Sequence, residues 1–315
     1  MKFNKRKIVL LIIPILFLCL IIPLLVTKSV ARGSSSGKLT ISFIDVLHGD
    51  CTLITFPNGK NVLIDCGPEN LEINEKTVSY IKQQGVKKLD YLIFSGISEE
   101  HVAGAKNILE KLCVDKVFLP NVLNPSNFAT YSSILTLINN KSIETETIST
   151  ELDLNLGCKF KVLSPFNMGT FNSSLDEFNT TINPTDRQIK DISATFYLEY
   201  MQKRIVLCSD AGITQEENII NKYSSLNEEI NLKHVTMLKV SDHGSKEASS
   251  KQFIDYLSPK YAVISIGGNN SYGSPSASTL ANIHNVCQDL YRTDVDGTIR
   301  LEISRYGGYG IYTEY

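Results

Sequence analysis

The stretch from residue 91 to residue 104 constrains the fold more than any other part of the chain. Its first four residues, Tyr91 to Phe94, are aliphatic or aromatic, which predicts a buried strand too short to be a helix. A turn follows, and Glu99-Glu100-His101 then leads into an apolar periodicity that predicts a helix over residues 102–112. Acidic side chains are stabilising at a helix N-terminus, where unpaired N–H groups attract negative charge. The stretch therefore predicts a strand–turn–helix unit whose acidic residues need no special role.

Other apolar runs predict further strands and helices. Pro57-Asn58-Gly59-Lys60 lies between two such runs and predicts a β-hairpin, and residues 201–203 separate the strands of a second hairpin. Helices are predicted over residues 74–84 and near 131–138, and strands over 115–119, 152–154 and 159–163. Residues 165–189 are polar and predict a loop-rich insertion. We assign no chemistry to this insertion.

The N-terminus carries an apolar segment. Residues Ile8 to Val26 contain no charge and follow four basic residues. At 1.5 Å per helical residue such a segment can cross the hydrocarbon core of a bilayer, and the preceding basic residues predict a cytoplasmic N-terminus. Ser29-Val30-Ala31 has the small-x-small form of a signal-peptidase site. Residues 1–31 are therefore predicted to be a membrane anchor or a cleaved signal peptide, with the folded part extracytoplasmic.

The charge balance changes beyond this segment. A flexible Gly/Ser-rich linker is predicted at residues 32–38, and residues 39–315 are predicted to form one domain. The chain has 31 Lys and Arg residues and 33 Asp and Glu residues, but six of the basic residues and none of the acidic ones lie in the first 33 positions. The remainder is acidic overall, which argues against broad attraction to nucleic acid and leaves a local basic groove open.

Five sequence blocks place acidic residues, histidine or glycine directly after apolar strands. They are ISFIDVLHGDCTLI with PNGKNVLIDCG (residues 41–67), the turn at residues 95–104, LCSDA (207–211), MLKVSDHGSK (237–246) and PKYAVISIGGNNSYGSP (259–275). In order and spacing these blocks resemble the metallo-β-lactamase superfamily, and in particular the extracytoplasmic hydrolase domain of the ComEC DNA-uptake (competence) family. The resemblance covers most of residues 39–304.

The resemblance implies an α/β fold, an αββα sandwich of two facing sheets with helices outside, over residues 39–315. Active members of the family hold two divalent metals and a bridging hydroxide that attacks an ester, amide or phosphodiester. Four positions that carry histidine in the family differ here: Gly96, Ser98, Asp242 and Ser274. Gly96 and Ser98 replace two ligands of the first metal, so we expect that site to be lost.

The second metal site of the family is still represented in this sequence. By resemblance its ligands are Glu100, His101, Asp210 and His243, with Asp242 as an alternative to His243. Two carboxylates and two imidazoles suit one zinc, manganese or iron ion. Asp65 or Asp242 is the candidate catalytic residue, either by orienting a metal ligand through a hydrogen bond or by transferring a proton. No nucleotide cofactor is expected.

Two functions remain open at this point. In the first, the protein is a membrane-anchored or secreted ComEC-like module with a degenerate metal site, without catalysis or with strongly reduced activity, that binds nucleic acid or a protein partner. In the second, it is a single-metal hydrolase that acts on a phosphodiester such as DNA. Retention of the framework blocks together with loss of the site histidines favours a changed use of the fold.

Overall fold

The structure is a computed structural model that describes residues 37–165, 184–224 and 230–315. These residues form two β-sheets. The strands are β1 (Leu39–Phe43), β2 (Thr52–Thr55), β3 (Asn61–Ile64), β4 (Lys88–Ile93), β5 (Cys113–Leu119), β6 (Glu144–Thr147), β7 (Lys159–Ser164), β8 (Thr195–Tyr200), β9 (Lys203–Cys208), β10 (Met237–Lys239), β11 (Tyr261–Ile264), β12 (Asp289–Arg292), β13 (Ile299–Ile303) and β14 (Tyr309–Tyr312).

Both sheets are mixed. The larger has the order β14-β13-β1-β2-β3-β4-β5-β6 and the smaller β12-β11-β10-β9-β8-β7. Strands β3 to β6 are parallel to one another, as are β9 to β12, and the other neighbouring pairs are antiparallel. Because the carboxyl ends of parallel strands meet at one edge of a sheet, loops that follow these strands lie close together. The candidate site residues are on those loops.

Helices connect the parallel strands. They are α1 (Leu71–Gln83), α2 (Glu99–Val102), α3 (Ala105–Lys111), α4 (Ala129–Asn140), α5 (Asp186–Asp191), α6 (Ile213–Tyr223), α7 (Lys251–Leu257), α8 (Ala277–His284) and α9 (Thr293–Asp296). Side chains cap several of them: Asn70 accepts from the Ile73 amide at the start of α1, and Thr185 and Gln188 form a capping box at α5.

Three apolar cores define four layers. A central core joins the two sheets and includes Phe43, Phe160 and Phe196. A second core packs the larger sheet against its helices, for example through Ile108 and Ile134. The third packs the smaller sheet against α6, α7 and α8. The predicted α/β class is therefore confirmed, and the layering of two sheets between helices fits the metallo-β-lactamase type of fold.

Several elements differ from their prediction. The helix predicted over residues 102–112 is divided into α2 and α3 at Gly104, because the Gly104 N–H donates to the carbonyl oxygen of Gly67 at 2.9 Å and not to the preceding helical turn. Residues 152–154 form no strand, whereas β6, which is exposed along its whole length, was not predicted. Residues 166–183 of the predicted insertion lie outside the described residues, and its end forms α5.

The predicted anchor over residues 8–26 also lies outside the described residues. Within the described ranges, no helix is both long enough and apolar enough to cross a membrane.

Candidate metal centre

Each predicted site residue follows the end of a parallel strand. Asp65 follows β3, Glu100 and His101 lie in α2 beyond β4, and Asp210 follows β9. His243 lies in a tight turn after β10. Asp65 and His243 have φ values of 60° and 51°, a left-handed conformation that costs non-glycine residues free energy and persists only where the surroundings enforce it. The turns are thus shaped to direct these side chains into one place.

His101 is fully buried between two carboxylates. Its Nδ1 lies 2.9 Å from Asp65 Oδ2 and its Nε2 lies 2.9 Å from Asp210 Oδ2. Burial alone would lower the pKa of His101, but the charges of Asp210 and Asp65 raise it well above its ordinary value. Burial likewise opposes the charge of Asp210, yet His101 lowers the pKa of that carboxyl. The arrangement suits an imidazolium, or a neutral ring that donates Nδ1–H to Asp65 and directs Nε2 at a cation.

His243 is held in one orientation by the backbone. Its Nδ1 lies 2.7 Å from the carbonyl oxygen of Ser265, so Nδ1 carries a proton, and the neutral tautomer of the ring presents its lone pair on Nε2. Nε2 lies 3.8 Å from Asp210 Oδ1, and both atoms are buried without a hydrogen-bond partner among the described residues. Buried polar atoms are normally satisfied. Two acceptors that face each other in this way fit a shared cation.

The four predicted ligands converge. One ligand atom from each of Glu100, His101, Asp210 and His243 lies within 4.8 Å of the other three. Ligands about 2.1 Å from a tetrahedral zinc ion lie roughly 3.4 Å from one another, so small side-chain movements would complete the coordination. The chain thus contains a candidate metal-binding group, and its donor set fits a single divalent ion.

Asp242 lies beside this group and has other partners. Its carboxylate accepts from Lys190 Nζ at 2.6 Å, from Arg187 Nη1 at 3.2 Å and from Ser245 Oγ at 2.6 Å. Burial lowers the pKa of Lys190, but the charges of Asp210 and Asp242 raise it further than burial lowers it. A protonated ammonium group therefore lies among the acidic residues beside the candidate ligands.

Of the lost histidine positions of the turn, Gly96 is closely packed and Ser98 is half-buried. A Cβ at Gly96 would lie 2.7 Å from Ser193 Oγ, so a larger side chain needs movement of Ser193. Ser98 precedes α2 without a side-chain capping bond. The remaining replaced position, Ser274, precedes a proline and lies in the loop after β11.

Sequence reasoning missed a buried ion pair beneath the site. Lys239 Nζ lies 2.6 Å from Asp50 Oδ2 and 2.9 Å from the carbonyl oxygen of Cys208. Burial raises the pKa of Asp50, but the charges of Lys239, His243 and His101 together outweigh burial, so the pKa is lowered. Asp50 also lies 3.8 Å from His101 Nδ1 and 3.9 Å from His243 Nδ1. The sequence feature that could have indicated this ion pair is a lysine inside the apolar run of β10.

An open cleft of about 760 Å³ leads to the candidate ligands. Glu99, Glu100 and Glu247 line it together with Arg187 and Lys190. At its rim the ring of His48 lies 4.4 Å from that of His243 and stacks on Tyr272 at 4.4 Å. Burial, with the neighbouring His243, lowers the pKa of His48 to about 4, so this rim imidazole is neutral.

Known proteins resemble the chain at modest identity. No family model matches it. The chain is 25% identical over 301 residues to ComE operon protein 3 of Bacillus subtilis (strain 168), covering 90% of this chain and 35% of that protein. It is 24% identical over 289 residues to recombination protein 2 of Haemophilus influenzae, covering 89% and 31%. The chain thus spans about a third of the length of these relatives.

Among solved structures, similar chains are the metallo-beta-lactamase fold protein YhfI from Bacillus subtilis and zinc-bound PqqB from Methylobacterium extorquens. The first is 10% identical with a TM-score of 0.45 and covers 80% of this chain and 95% of that one. The second is 10% identical with a TM-score of 0.44 and covers 80% and 87%. Through its sequence blocks and its curated relatives, this chain resembles ComEC-like competence proteins of the metallo-β-lactamase-fold superfamily.

Proposed function

We propose that the protein is a ComEC-like module that keeps one cation-binding position of the ancestral centre and has lost its hydrolytic function. The observation that carries this proposal is the ion-paired state of Asp242. This carboxylate, at a histidine position of the family, binds Lys190 and Arg187 instead of projecting toward the convergent ligands. In the half of the centre that contains Asp242, the positive charge is thus supplied by protein side chains.

The other half retains a set of ligands for one divalent ion, namely Glu100, His101, Asp210 and His243. A bound ion would supply a Lewis acid and lower the pKa of a coordinated water. The chain's own residues orient the ligands: Asp65 accepts Nδ1–H of His101, and the Ser265 carbonyl accepts Nδ1–H of His243. Both Nε2 atoms are thereby directed toward the same point.

Neither predicted proton-handling residue is available for catalysis in this arrangement. Asp65 is fully engaged, because it accepts from the Ser95 amide at 2.8 Å, from Ser95 Oγ at 2.5 Å and from His101. Asp242 is neutralised by two cations. A general base must be free to reach the proton it removes, so the geometry favours binding over hydrolysis.

The cleft favours a protein partner over nucleic acid. Its cations Arg187 and Lys190 are already paired with Asp242, and Arg187 also with Glu247, whereas Glu99 and Glu100 line the same cleft without an ion pair among the described residues. Unpaired carboxylates repel phosphate groups and attract basic side chains. We therefore propose a partner protein with a basic segment, within the DNA-uptake process that the names of the competence-protein relatives suggest.

The predicted segment Ile8–Val26 would anchor this module to the membrane, with residues 37–315 extracytoplasmic. The alternative function is a single-metal hydrolase acting on a phosphodiester such as DNA. It is favoured by the convergence of four ligands at the base of an open cleft.

Hydrolysis assays separate the two functions. Protein loaded with zinc or manganese is incubated with bis(p-nitrophenyl) phosphate and with single- and double-stranded DNA, and His101→Ala is the matched control. The binding-module proposal predicts the same background rate for both proteins. A rate that depends on His101 and on added metal would contradict it and support the hydrolase.

A further inference from the structure

A basic and aromatic surface lies at the end of the domain opposite the metal centre. We define it as the basal face, composed of Lys38, Met201, Lys203, Lys260, Arg305, Tyr306 and Tyr309. Strand β9 begins at Lys203 and is followed by Asp210, and β11 begins at Tyr261 and is followed by Ser265. The length of these strands separates the basal face from the centre by roughly 20 Å at about 3.3 Å per residue.

Direct contacts join the members of this face. Lys260 Nζ lies 2.9 Å from the Tyr309 hydroxyl, and Lys203 Nζ lies 5.3 Å from the centroid of the same ring. The guanidinium of Arg305 lies 4.8 Å from the ring of Tyr306, which is 82% exposed. Met201 is also exposed and contacts Gly307, next to Tyr306. The face therefore forms one continuous patch.

The charge of the basal face contrasts with the rest of the domain. Lys203, Lys260 and Arg305 contact tyrosine rings, and the only ion pair described for the members of the face joins Lys38 to Glu302. Beyond the first 33 residues the chain has 25 basic and 33 acidic residues, so a basic end is not a consequence of composition. Lysine and arginine beside tyrosine is the combination found where proteins meet lipid headgroups.

The chain also enters the domain at this face. Gly37, the first described residue, accepts a hydrogen bond from the Tyr200 hydroxyl at 2.5 Å and lies next to Arg305. Ten residues separate it from the apolar segment that ends at Val26. A flexible chain of ten residues has a root-mean-square span of roughly 17 Å. A bilayer that held the apolar segment would therefore lie within reach of the basal face.

We propose that the basal face docks on the surface of an anionic lipid bilayer and so holds the cleft of the metal centre away from the membrane. This inference rests on the proposed anchoring through residues 8–26. Basic residues near an anionic membrane each contribute attraction that salt weakens, and exposed Tyr306 supplies the interfacial aromatic group.

The chain contains no tryptophan, which makes a single-tryptophan reporter simple to build. Full-length Tyr306→Trp is reconstituted into liposomes that contain brominated lipid, with or without phosphatidylglycerol. Tyr272→Trp, at an exposed position of the cleft rim, is the matched control. We expect quenching at position 306 to exceed that at 272 by at least about twofold in anionic liposomes, and the difference to shrink in neutral ones.

Charge variants sharpen the test. Lys203→Gln/Lys260→Gln in the reporter background should abolish the excess quenching, whereas Lys106→Gln/Lys251→Gln, exposed lysines elsewhere, should not. Equal quenching at positions 306 and 272 would overturn the proposal. So would quenching of position 306 by a single-stranded oligonucleotide but not by brominated lipid, since stacking on nucleic acid would then explain the face.

Failure of the anchor is recognised separately. Alkaline carbonate extraction of the same liposomes shows whether the chain is integral to the bilayer. Release by carbonate contradicts the anchoring through residues 8–26, while retention together with equal quenching contradicts only the basal-face docking.

Discussion

We propose that the two halves of the metal centre, the retained ligands and the replaced histidine positions, have diverged within one fold. In the retained half, Asp65 and the Ser265 carbonyl hold two imidazoles with Nε2 directed at Asp210. In the replaced half, no imidazole remains at residues 96, 98 and 242, and Asp242 is bound by two cations from α5. The retained half consists of buried groups that need a positive charge. The replaced half already contains positively charged side chains.

This difference indicates how a binuclear centre can lose one ion without losing the fold. Carboxylates that lose a metal remain buried negative charges, which are costly unless they are paired. Lys190 supplies a positive charge beside Asp210 and Asp242. The strands and helices around the centre then need no rearrangement, because the charge balance is restored locally.

Lys239→Met should have the largest effect, because it leaves Asp50 buried and unpaired beneath the retained half. Breaking one partner of a buried ion pair costs about 3–5 kcal/mol. Urea denaturation measures the free energy of unfolding. The double variant Asp50→Asn/Lys239→Met should recover much of the loss, and a single variant as stable as the wild type would show that the pair is unimportant.

His101→Ala should remove the stabilisation that a divalent ion gives to the retained half. A ligand that binds only the folded state at 100 times its Kd stabilises it by about 2.7 kcal/mol. The wild type should therefore gain melting temperature when zinc or manganese is added, and His101→Ala should gain none. An equal gain in both proteins would remove His101 from the ligand set.

Asp242→Asn should have a smaller effect, because its partners Arg187 and Lys190 are about one-quarter exposed and become hydrated when released. We expect a loss of about 1 kcal/mol. The stabilisation by added metal should be unchanged, which is the contrast with His101→Ala. If Asp242→Asn abolished metal-dependent stabilisation, the two halves would not be independent.

The replaced half should regain an ion when its histidines return. Gly96→His/Ser98→His, combined with Ser193→Ala to relieve the contact at 2.7 Å, should raise the metal content of the purified protein. Adding Asp242→His should raise it further, since it supplies another imidazole ligand and removes the carboxylate that holds Lys190 at the site. The same number of histidines at two exposed and well-separated positions of α4, Ser133→His/Asn140→His, controls for non-specific binding by histidine. If the metal content does not exceed that of the control, the replaced half no longer has room for an ion.

Much of the fold could be predicted because apolar runs and turn chemistry are local. The strands at residues 91–94 and 159–163, the hairpin at Pro57–Lys60 and the helix near 131–138 all correspond to elements of the structure. The break at Gly104 could not be predicted, because it depends on a hydrogen bond to the backbone of Gly67, which is distant in sequence. The β6 strand pairs with β5 at the sheet edge and has no apolar pattern.

The candidate ligands could be named from sequence because each follows a recognisable strand-end motif. The ion pairs around them could not be predicted from sequence. Lys190 and Asp242 are 52 residues apart, and Lys239 and Asp50 are 189 apart. Lys190 also follows an insertion whose composition indicates no chemistry. Pairing between such distant residues is decided by how the two sheets pack, and a single sequence contains no direct signal for it.

Metal stoichiometry tests the central claim most directly. The full-length chain is purified without an affinity tag that binds metal, incubated with zinc or manganese, exchanged into metal-free buffer and measured by elemental analysis. The account predicts one divalent ion per chain in the wild type and none in His101→Ala. Two ions per chain would contradict the replacement of the first site, and no bound ion in the wild type would contradict the retention of the second.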